Sequence, residues 1–390
     1  MRRAEPVLIC ALSARALADA ARAAGFAPIV LDAFGDLDMR AVAAGWQRIP
    51  VDGSWRPRRG PLLAAAARLA PPPVPLVWGS GFERAPRLIA ELAIGRELWG
   101  NAPEMVRAVK DPLGFAATTA RLDIPHPEVR DSRPTDPDSW LAKRVGAAGG
   151  GHVRPATRRT PRGRGWYWQR RAAGAPLSAL VVGNGDACRV LAFAHQLLSP
   201  SPDSRYRFGG TLAPAVISPI ARERLEEAAL RLAAHYGLRG LASVDALVEG
   251  DVITVLELNP RPGGSLDAYR AVLELNLFAE HVAACRDRVL PTPVLADRVS
   301  GSFIVYATRV TLVQSGFVWP EWAVDRSPGG TVIRSGGPIC SVLARGAHIA
   351  EVGLTLARRA NLIRGALCAP EGRRSDRLPS PRLWLATPPL

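Results

Sequence analysis

The stretch Asp251–Ser265, DVITVLELNPRPGGS, joins an apolar strand to polar residues at alternating positions. Side chains alternate between the two faces of a strand, so Glu257 and Asn259 point the same way and Arg261 can follow them. Carboxylate and amide oxygens suit a hard cation such as Mg²⁺, and a guanidinium binds anions. The stretch therefore predicts a metal site beside an anion-binding cation. The alternative is a strand edge whose polar residues cap a turn at Asn259-Pro260.

A second carboxylate for this site is expected from the preceding strand. The segments Ser243–Val248 and Val252–Glu257 read as two strands joined by a turn at Glu249–Asp251. Asp245 lies on the first of them and would complete the pair of carboxylates that bridges two Mg²⁺ ions. The predicted metal ligands are thus Asp245, Glu257 and Asn259.

The N-terminal residues predict a doubly wound parallel sheet. Val7–Leu12 is a continuous apolar run, which is typical of a buried parallel strand. Ser13 is expected to cap the Ala-rich helix that follows, and Gly25 to end it. Ile29–Leu31 then predicts a second strand. A β-α-β opening of this kind indicates a Rossmann-like domain.

A further strand of this sheet is expected at Val74–Trp78, and it runs into the loop Gly79–Glu83. Ligands of such sheets bind in loops at the carboxyl ends of the strands. Glu83 is therefore a candidate substrate contact. The alternative is that Glu83 is an ordinary acid at the start of a helix.

The motifs follow one another in the order found in the ATP-grasp superfamily. The run Glu257–Arg261, ELNPR, resembles the metal-binding signature of that superfamily. Lys110 and Lys143 resemble its two ATP-contacting lysines. Gly149–Val153, GGGHV, resembles the mobile loop that folds over the β- and γ-phosphates, where glycines let backbone N–H groups approach phosphate oxygens. Gln169–Gly174, QRRAAG, resembles the hinge that binds adenine through its backbone.

This chain departs from the superfamily pattern at two positions. Members commonly carry glutamate in the hinge where this chain has Arg170, which leaves the adenine contacts open. The first metal carboxylate is often glutamate, and here it is Asp245. A shorter acid still binds Mg²⁺, so the metal site is expected to survive this change.

The resemblance implies an α/β chain with the ATP-grasp fold that binds ATP with Mg²⁺, or with Mn²⁺ as the alternative metal. Arg261 and Lys143 would be the catalytic residues. The residues implied in nucleotide binding are Lys110, Lys143, Gly149, Gly150, Gly151, Gln169, Arg170, Arg171 and Glu257. The implied reaction is carboxylate–amine ligation through an acyl phosphate, with release of ADP and phosphate.

Within the superfamily the chain is most similar to predicted ATP-dependent carboligases and to tyramine–glutamate ligases of methanofuran-type cofactor biosynthesis. That similarity implies glutamate and an aromatic amine or amino acid as substrates, a role in one-carbon metabolism, and small-molecule partners. A homodimer is also expected. One alternative is a carboxylase-like enzyme that phosphorylates bicarbonate.

Three parts are expected along the chain. Residues 1–105 form the Rossmann-like domain, and residues 106–290 form the ATP-grasp domain with a hinge near 169–175. Residues 291–390 form a small α+β segment with a hairpin at Thr331–Leu343, a helix at Ile349–Ile363 and a disordered tail.

The composition is that of a globular protein with an excess of positive charge. Of 390 residues, 48% are hydrophobic, and the formal net charge is +15. This excess favours anionic ligands, including nucleotides and acidic substrates. A nucleic-acid-binding protein that uses the basic, aromatic stretch Arg154–Arg171 is the second alternative. Five widely spaced cysteines and the lack of a long apolar run predict a cytoplasmic protein with no membrane span.

Overall fold

A computed structural model describes residues 4–157 and 165–368. The N-terminal part is a four-stranded parallel sheet in the order β3-β2-β1-β4, flanked by helices. Its elements are β1 (Pro6–Cys10), α1 (Arg15–Ala23), β2 (Ala27–Asp32), α2 (Leu37–Val42), β3 (Gly45–Arg48), α3 (Arg59–Leu69), β4 (Leu76–Trp78) and α4 (Pro86–Leu92). The predicted Rossmann-like sheet is confirmed.

The apolar runs explain the buried position of this sheet. Leu8 at the centre of β1 pairs with Ile29 of β2 on one side and with Leu76 of β4 on the other. A strand paired on both edges and covered by helices needs apolar side chains on both faces. The prediction that Ser13 caps α1 was wrong, because the residue before the helix is Ala14 and no side chain caps it.

The chain then forms a small unit of two helices and a four-stranded antiparallel sheet in the order β5-β8-β6-β7. Its elements are α5 (Pro103–Val109), α6 (Pro112–Arg121), β5 (Val129–Arg130), β6 (Trp140–Arg144), β7 (Arg154–Pro155) and β8 (Trp166–Arg170). Part of the basic stretch Arg154–Arg171, residues 158–164, lies outside the described residues.

The remaining elements build one eight-stranded sheet in the order β13-β12-β9-β10-β11-β14-β18-β16, with a two-stranded β15-β17 ribbon beside it. They are β9 (Ala175–Asn184), β10 (Cys188–Leu198), β11 (Phe208–Ala213), α7 (Pro219–His235), β12 (Arg239–Glu249), β13 (Val252–Asn259), α8 (Leu266–Val272), α9 (Leu277–Val282), a π-helical turn (Ala283–Asp287), β14 (Val299–Tyr306), β15 (Thr311–Leu312), β16 (Ala323–Val324), β17 (Val332–Ile333), β18 (Pro338–Gly346) and α10 (Ile349–Cys368).

Two sequence predictions for the C-terminal segment meet different outcomes. The helix predicted at Ile349–Ile363 is present and extends to Cys368. The predicted hairpin at Thr331–Leu343 was wrong, because β17 pairs with β15 and β18 pairs with β14. The C-terminal strands therefore continue the large sheet. The predicted disordered tail begins beyond Cys368, outside the described residues.

The N-terminal sheet and the large sheet share one hydrophobic core. Phe26, just before β2, packs edge-to-face on Trp99 at 6.0 Å and on Phe278 of α9 at 5.4 Å between ring centroids. His281 of α9 accepts a hydrogen bond from Leu241 N at 2.9 Å, so its other ring nitrogen can donate to Trp99 O at 3.1 Å. Burial lowers the pKa of His281 to about 4, although the hydrogen bond to Trp99 O acts in the opposite direction, so the ring is neutral at pH 7.

A buried guanidinium joins three distant parts of the chain. Arg15 at the start of α1 makes a two-pronged ion pair with Asp267 of α8, with Nη1 at 2.8 Å from Oδ1. Its Nε donates to Asp325 Oδ1 at 2.9 Å, just after β16. The side chain of Arg15 is 5% exposed.

Within the described residues, no helix is long and apolar enough to cross a membrane.

Replacing Arg15 should destabilise the whole chain. Arg15→Met leaves buried Asp267 and half-buried Asp325 without their counter-charge, and breaking one side of a buried ion pair costs about 3–5 kcal/mol. Urea unfolding followed by tryptophan fluorescence should show a clearly lower midpoint. Arg22→Met, at the exposed end of the same helix, is the matched control and should unfold like the wild type. Equal midpoints for Arg15→Met and the wild type would contradict this assignment.

Candidate functional site

The units enclose one large cavity of about 1730 Å³. It is bounded by the carboxyl ends of β1, β2 and β4, by the small antiparallel sheet, and by the open face of the large sheet. Apart from Lys110, every site residue predicted from the sequence lines this cavity. Lys110 lines a small adjoining cavity on the other side of Glu257.

The three predicted metal ligands lie together on β12 and β13. Asp245 and Glu257 are directly opposite each other in the antiparallel pairing, and Ser243 is opposite Asn259. Asn259 Nδ2 donates to Asp245 Oδ2 at 2.9 Å and to Glu257 Oε1 at 3.4 Å. Ser178 Oγ on β9 donates to Asp245 Oδ1 at 2.8 Å. The structure thus brings together two carboxylates and an amide from adjacent strands.

Lys110 supplies a cation to this group. Its Nζ donates to Glu257 Oε2 at 3.1 Å and to Asn259 Oδ1 at 2.8 Å. Burial disfavours ionisation of Glu257, but Lys110 and Lys143 outweigh it and lower the pKa of this carboxyl to about 2. Burial and the Glu257 charge raise the pKa of Asp245 to about 6. The pKa values of the Asp245 and Glu257 carboxyls therefore differ widely. A cation placed between their oxygens would favour the ionised form of both.

The predicted glycine loop lies against the segment before β11. Phe208 N donates to Gly149 O at 2.9 Å, and Gly149 and Gly150 both have positive φ angles. A Cβ atom at Gly150 would come within 1.9 Å of Tyr206 O, so glycine is required there. Lys143 is the second-last residue of β6, shortly before this loop, and desolvation lowers its pKa despite the nearby Glu257.

The predicted hinge residues follow β8 into β9. Gln169 is buried and pairs with Leu141 of β6 and Val129 of β5, whereas Arg170 and Arg171 are exposed. Arg170 lies 3.6 Å from Glu128 in an exposed ion pair. Arg170 stands where members of the resembled superfamily commonly carry glutamate. In this chain the acid at that place is Glu128, which comes from another segment.

Arg261 and Glu83 bind each other. Arg261 Nε donates to Glu83 Oε1 at 2.6 Å, and Gly81 N donates to Glu83 Oε2 at 2.7 Å. Glu83 is 3% exposed, and both of its oxygens are engaged. Glu83 therefore fixes the position of Arg261 at the cavity, which both residues border. The sequence analysis treated these two residues separately, and their separation of 178 positions gave no sign of the pair.

Sequence analysis missed two further positioning residues. Asn101 Nδ2 donates to Pro260 O at 2.8 Å, and Asn101 Oδ1 accepts from Arg239 N at 2.8 Å, which fixes the turn after β13 to β12. Ser178 holds Asp245, as described above. Ser178 has a weak signal in the sequence, a serine within an apolar strand, and Asn101 has none.

The chemistry of the lining residues fits Mg–ATP. Glu257 and the amide oxygen of Asn259 already accept hydrogen bonds from the Lys110 ammonium, and the glycine loop presents small residues to the cavity. Two buried polar atoms that border the cavity, His152 Nδ1 and Thr211 Oγ1, have no hydrogen-bond partner among the described residues. Buried polar groups are normally paired, so these atoms are suited to a polar ligand.

The family comparison agrees with this geometry. Residues 114–265 match the model of the ATP-grasp domain family. This span includes Lys143, the glycine loop, the hinge and the metal ligands, and it starts just after Lys110. No curated protein matches the sequence.

Comparison with solved structures extends the likeness over most of the chain. One is the biotin carboxylase–β,γ-ATP complex from Campylobacter jejuni, with 14% identity, 89% of each chain covered and a TM-score of 0.72. Another is N5-carboxyaminoimidazole ribonucleotide synthetase from Thermus thermophilus, with 18% identity, 91% of this chain and 98% of that chain covered, and a TM-score of 0.66. A third is the biotin carboxylase domain of 2-oxoglutarate carboxylase from Hydrogenobacter thermophilus, with 12% identity, 90% and 89% covered, and a TM-score of 0.69.

At these identities the likeness establishes the fold. The α/β architecture with an ATP-grasp domain, predicted from the sequence, is confirmed. The prediction of an ATP-dependent enzyme of this type is confirmed at the level of the domain family. The roles of individual site residues remain predictions.

The glycine loop provides a test of how far backbone shape determines nucleotide binding. Gly150→Ala introduces a Cβ against Tyr206 O at a positive φ angle, so the loop must move. Gly151→Ala is the matched control, since its Cβ would meet Ser204 Oγ at an ordinary 3.6 Å. We expect the Kd for Mg–ATP, measured by titration calorimetry, to rise at least tenfold for Gly150→Ala and less than threefold for Gly151→Ala. Equal values for the two variants would show that loop shape does not matter.

Proposed function

We propose that this protein is an ATP-dependent carboxylate–amine ligase. The observation that carries the proposal is the close grouping of Asp245, Glu257 and Asn259 with Lys110, next to a glycine loop and to the oriented guanidinium of Arg261. This arrangement suits anionic phosphate on one side and a substrate carboxylate on the other. The match of residues 114–265 to the ATP-grasp domain supports it.

Each group has an assignable task in this proposal. Asp245, Glu257 and Asn259 would hold Mg²⁺, with Mn²⁺ as a possible substitute, and the metal would neutralise charge on the transferring phosphoryl group. Lys110, Lys143 and backbone N–H groups of Gly149–Gly151 would hold phosphate oxygens. Gln169, Arg170 and Arg171 would bind the adenine end.

The proposed reaction has two steps. A substrate carboxylate oxygen attacks the γ-phosphorus of ATP, forming an acyl phosphate and releasing ADP. The amine nitrogen then attacks the acyl carbon, the C–N bond forms, the C–O bond to phosphate breaks, and the nitrogen loses a proton. Arg261, held by Glu83, would bind the anionic oxygens of the acyl phosphate between the two steps. Positioning and electrostatic stabilisation account for the protein's part in both.

The substrate proposal rests on the resemblance given above. Glutamate and an aromatic amine or amino acid are the proposed substrates, with a place in methanofuran-type cofactor biosynthesis and one-carbon metabolism. The +15 formal charge favours capture of ATP and of an acidic substrate. All five cysteines are free thiols, which supports a cytoplasmic location.

Bicarbonate phosphorylation is the second candidate. It is supported by the likeness to the carboxylase domain from Hydrogenobacter thermophilus, whose structure holds MgADP, ADP and bicarbonate. The nucleic-acid alternative is not favoured. In the described part of the stretch 154–171, Trp168 is 2% exposed and belongs to the core of the small sheet, so it is not available to stack on a base.

The ligase proposal is tested by ADP release with Mg–ATP, glutamate and tyramine or tyrosine, beside a panel of other acids and amines and beside bicarbonate alone. We expect turnover that requires both an acid and an amine. Glu257→Gln should lower kcat at least a hundredfold, because one metal carboxylate and the partner of Lys110 are lost together. Glu226→Gln, an exposed acid on α7, is the matched control and should keep wild-type activity. Amine-independent, bicarbonate-dependent ADP release would replace the ligase with the carboxylase candidate.

A further inference from the structure

The wall of the cavity at the carboxyl end of the N-terminal sheet carries a second group of charges. Four aspartates lie around Arg15 in addition to Asp267, and they come from both ends of the chain: Asp32, Asp36, Asp38 and Asp325. Asp38 accepts the backbone N–H groups of Asp325 and Arg326 at 2.9 Å each. Arg15 forms ion pairs with three of these five carboxyl groups, Asp38, Asp267 and Asp325.

The Arg15 ion pairs and backbone N–H groups account for most of these carboxyls. Asp267 and Asp325 bind Arg15, and Asp38 binds backbone N–H groups. Asp32 Oδ1 accepts from Gly35 N at 2.9 Å. Asp32 and Asp36 are both buried, and the Oδ2 atom of each has no hydrogen-bond partner among the described residues. Of these two, only Asp36 borders the cavity.

A buried carboxylate oxygen without a partner is costly unless a ligand pairs with it. Burial and the like charges of Asp325, Asp32 and Asp38 raise the pKa of Asp36 to about 8, and Arg15 offsets them only in part. Without a ligand Asp36 is therefore mostly protonated at neutral pH. A cationic group that enters from the cavity would favour the ionised form of Asp36 and supply the missing hydrogen bond.

Two aromatic rings lie on the same wall. Phe34, two residues before Asp36, packs on Trp55 at 5.6 Å between centroids, and both border the cavity. Trp55 is 48% exposed and has φ +61°, a conformation that costs a non-glycine residue energy. Asp52 fixes this turn, because its Oδ1 accepts Ser54 N at 2.8 Å and Arg56 N at 3.0 Å. The exposed indole is therefore held in place beside the cavity.

We propose that Asp36, with Phe34 and Trp55, forms the binding site for the acceptor amine, and that this amine is a primary ammonium with an aromatic body. The inference rests on the proposed ligase function and specifies the second substrate by chemical class. An ammonium fits Asp36 better than a metal does, since a metal ion needs several free oxygens and only Asp32 Oδ2 among the neighbouring carboxyl oxygens also lacks a partner. Aromatic faces attract both organic cations and other rings.

Arg261 and the proposed metal residues line the same cavity as Asp36. The two substrates would then enter regions of opposite charge, with the carboxylate near Arg261 and the ammonium near Asp36. Such complementarity keeps each substrate out of the other's position.

The test uses the full-length protein and direct binding, with tyramine as the probe and 4-ethylphenol as its analogue without the amino group. Titration calorimetry in the presence of Mg²⁺ and a non-hydrolysable ATP analogue should show that the wild type binds tyramine at least tenfold more tightly than 4-ethylphenol. Asp36→Asn keeps the size of the side chain and removes the charge, so this discrimination should disappear. Asp297→Asn, an exposed acid away from the cavity, should discriminate like the wild type.

Asp36 as a purely structural, protonated residue gives a different result, because Asn would then leave tyramine affinity within twofold of the wild type. That result, or equal binding of the two probes by the wild type, would overturn the inference. Hydroxamate formation by the wild type from glutamate, ATP and hydroxylamine reports carboxylate activation without an aromatic amine. Its presence without tyramine discrimination refutes the amine site alone, and its absence counts against the ligase proposal.

The aromatic part of the site has its own test, which does not depend on the folding of Asp36→Asn. Trp55→Ala removes an exposed ring and should weaken tyramine binding at least fivefold while leaving the affinity for ethylamine unchanged. Trp46→Ala, also a partly exposed tryptophan of the N-terminal domain but outside the cavity lining, is the control. Unchanged tyramine affinity in Trp55→Ala would show that the aromatic wall takes no part.

Discussion

The junction at Arg15 is the interaction on which the rest of the structure depends. A guanidinium with 5% exposure can remain charged only because carboxylates from α8 and from the segment after β16 close around it. Those carboxylates come from positions 252 and 310 residues away in sequence. The start of α1, helix α8 and the segment after β16 must therefore meet at one point before any of these charges is compensated.

That constraint explains why the cavity lies where it does. With the three parts joined at Arg15, the carboxyl ends of the N-terminal strands face the open side of the large sheet, and the small antiparallel sheet covers the space between them. The Glu83–Arg261 pair crosses the same boundary with both side chains buried. Arg15 and Arg261 are each held by an ion pair that crosses this boundary, and both border the cavity. The same contacts therefore hold the parts of the chain together and fix the geometry of the site.

The sequence was sufficient for features that depend on local periodicity. Alternation along one strand placed Glu257 and Asn259 on a common face, and a short turn placed Asp245 opposite Glu257. The apolar run beginning at Val7 gave the first parallel strand for the same reason. Features that depend on distant contacts were out of reach: the pairing of Glu83 with Arg261 joins residues 178 positions apart. The hairpin expected at Thr331–Leu343 failed similarly, since both halves pair with strands that precede them in the chain.

The charges that line the cavity also show that the net charge of the whole chain is a poor guide to its function. The chain as a whole is strongly basic, yet the wall around Asp36 has more carboxyls than cations. If the excess of arginine came only from a compositional bias, it would be spread evenly over the chain. This wall of the cavity would then be basic or neutral. Buried like charges raise the free energy of the folded state unless a ligand compensates them. Their placement in the wall of the cavity is the reason that we propose a substrate of the opposite charge, which neither the fold nor the composition specifies.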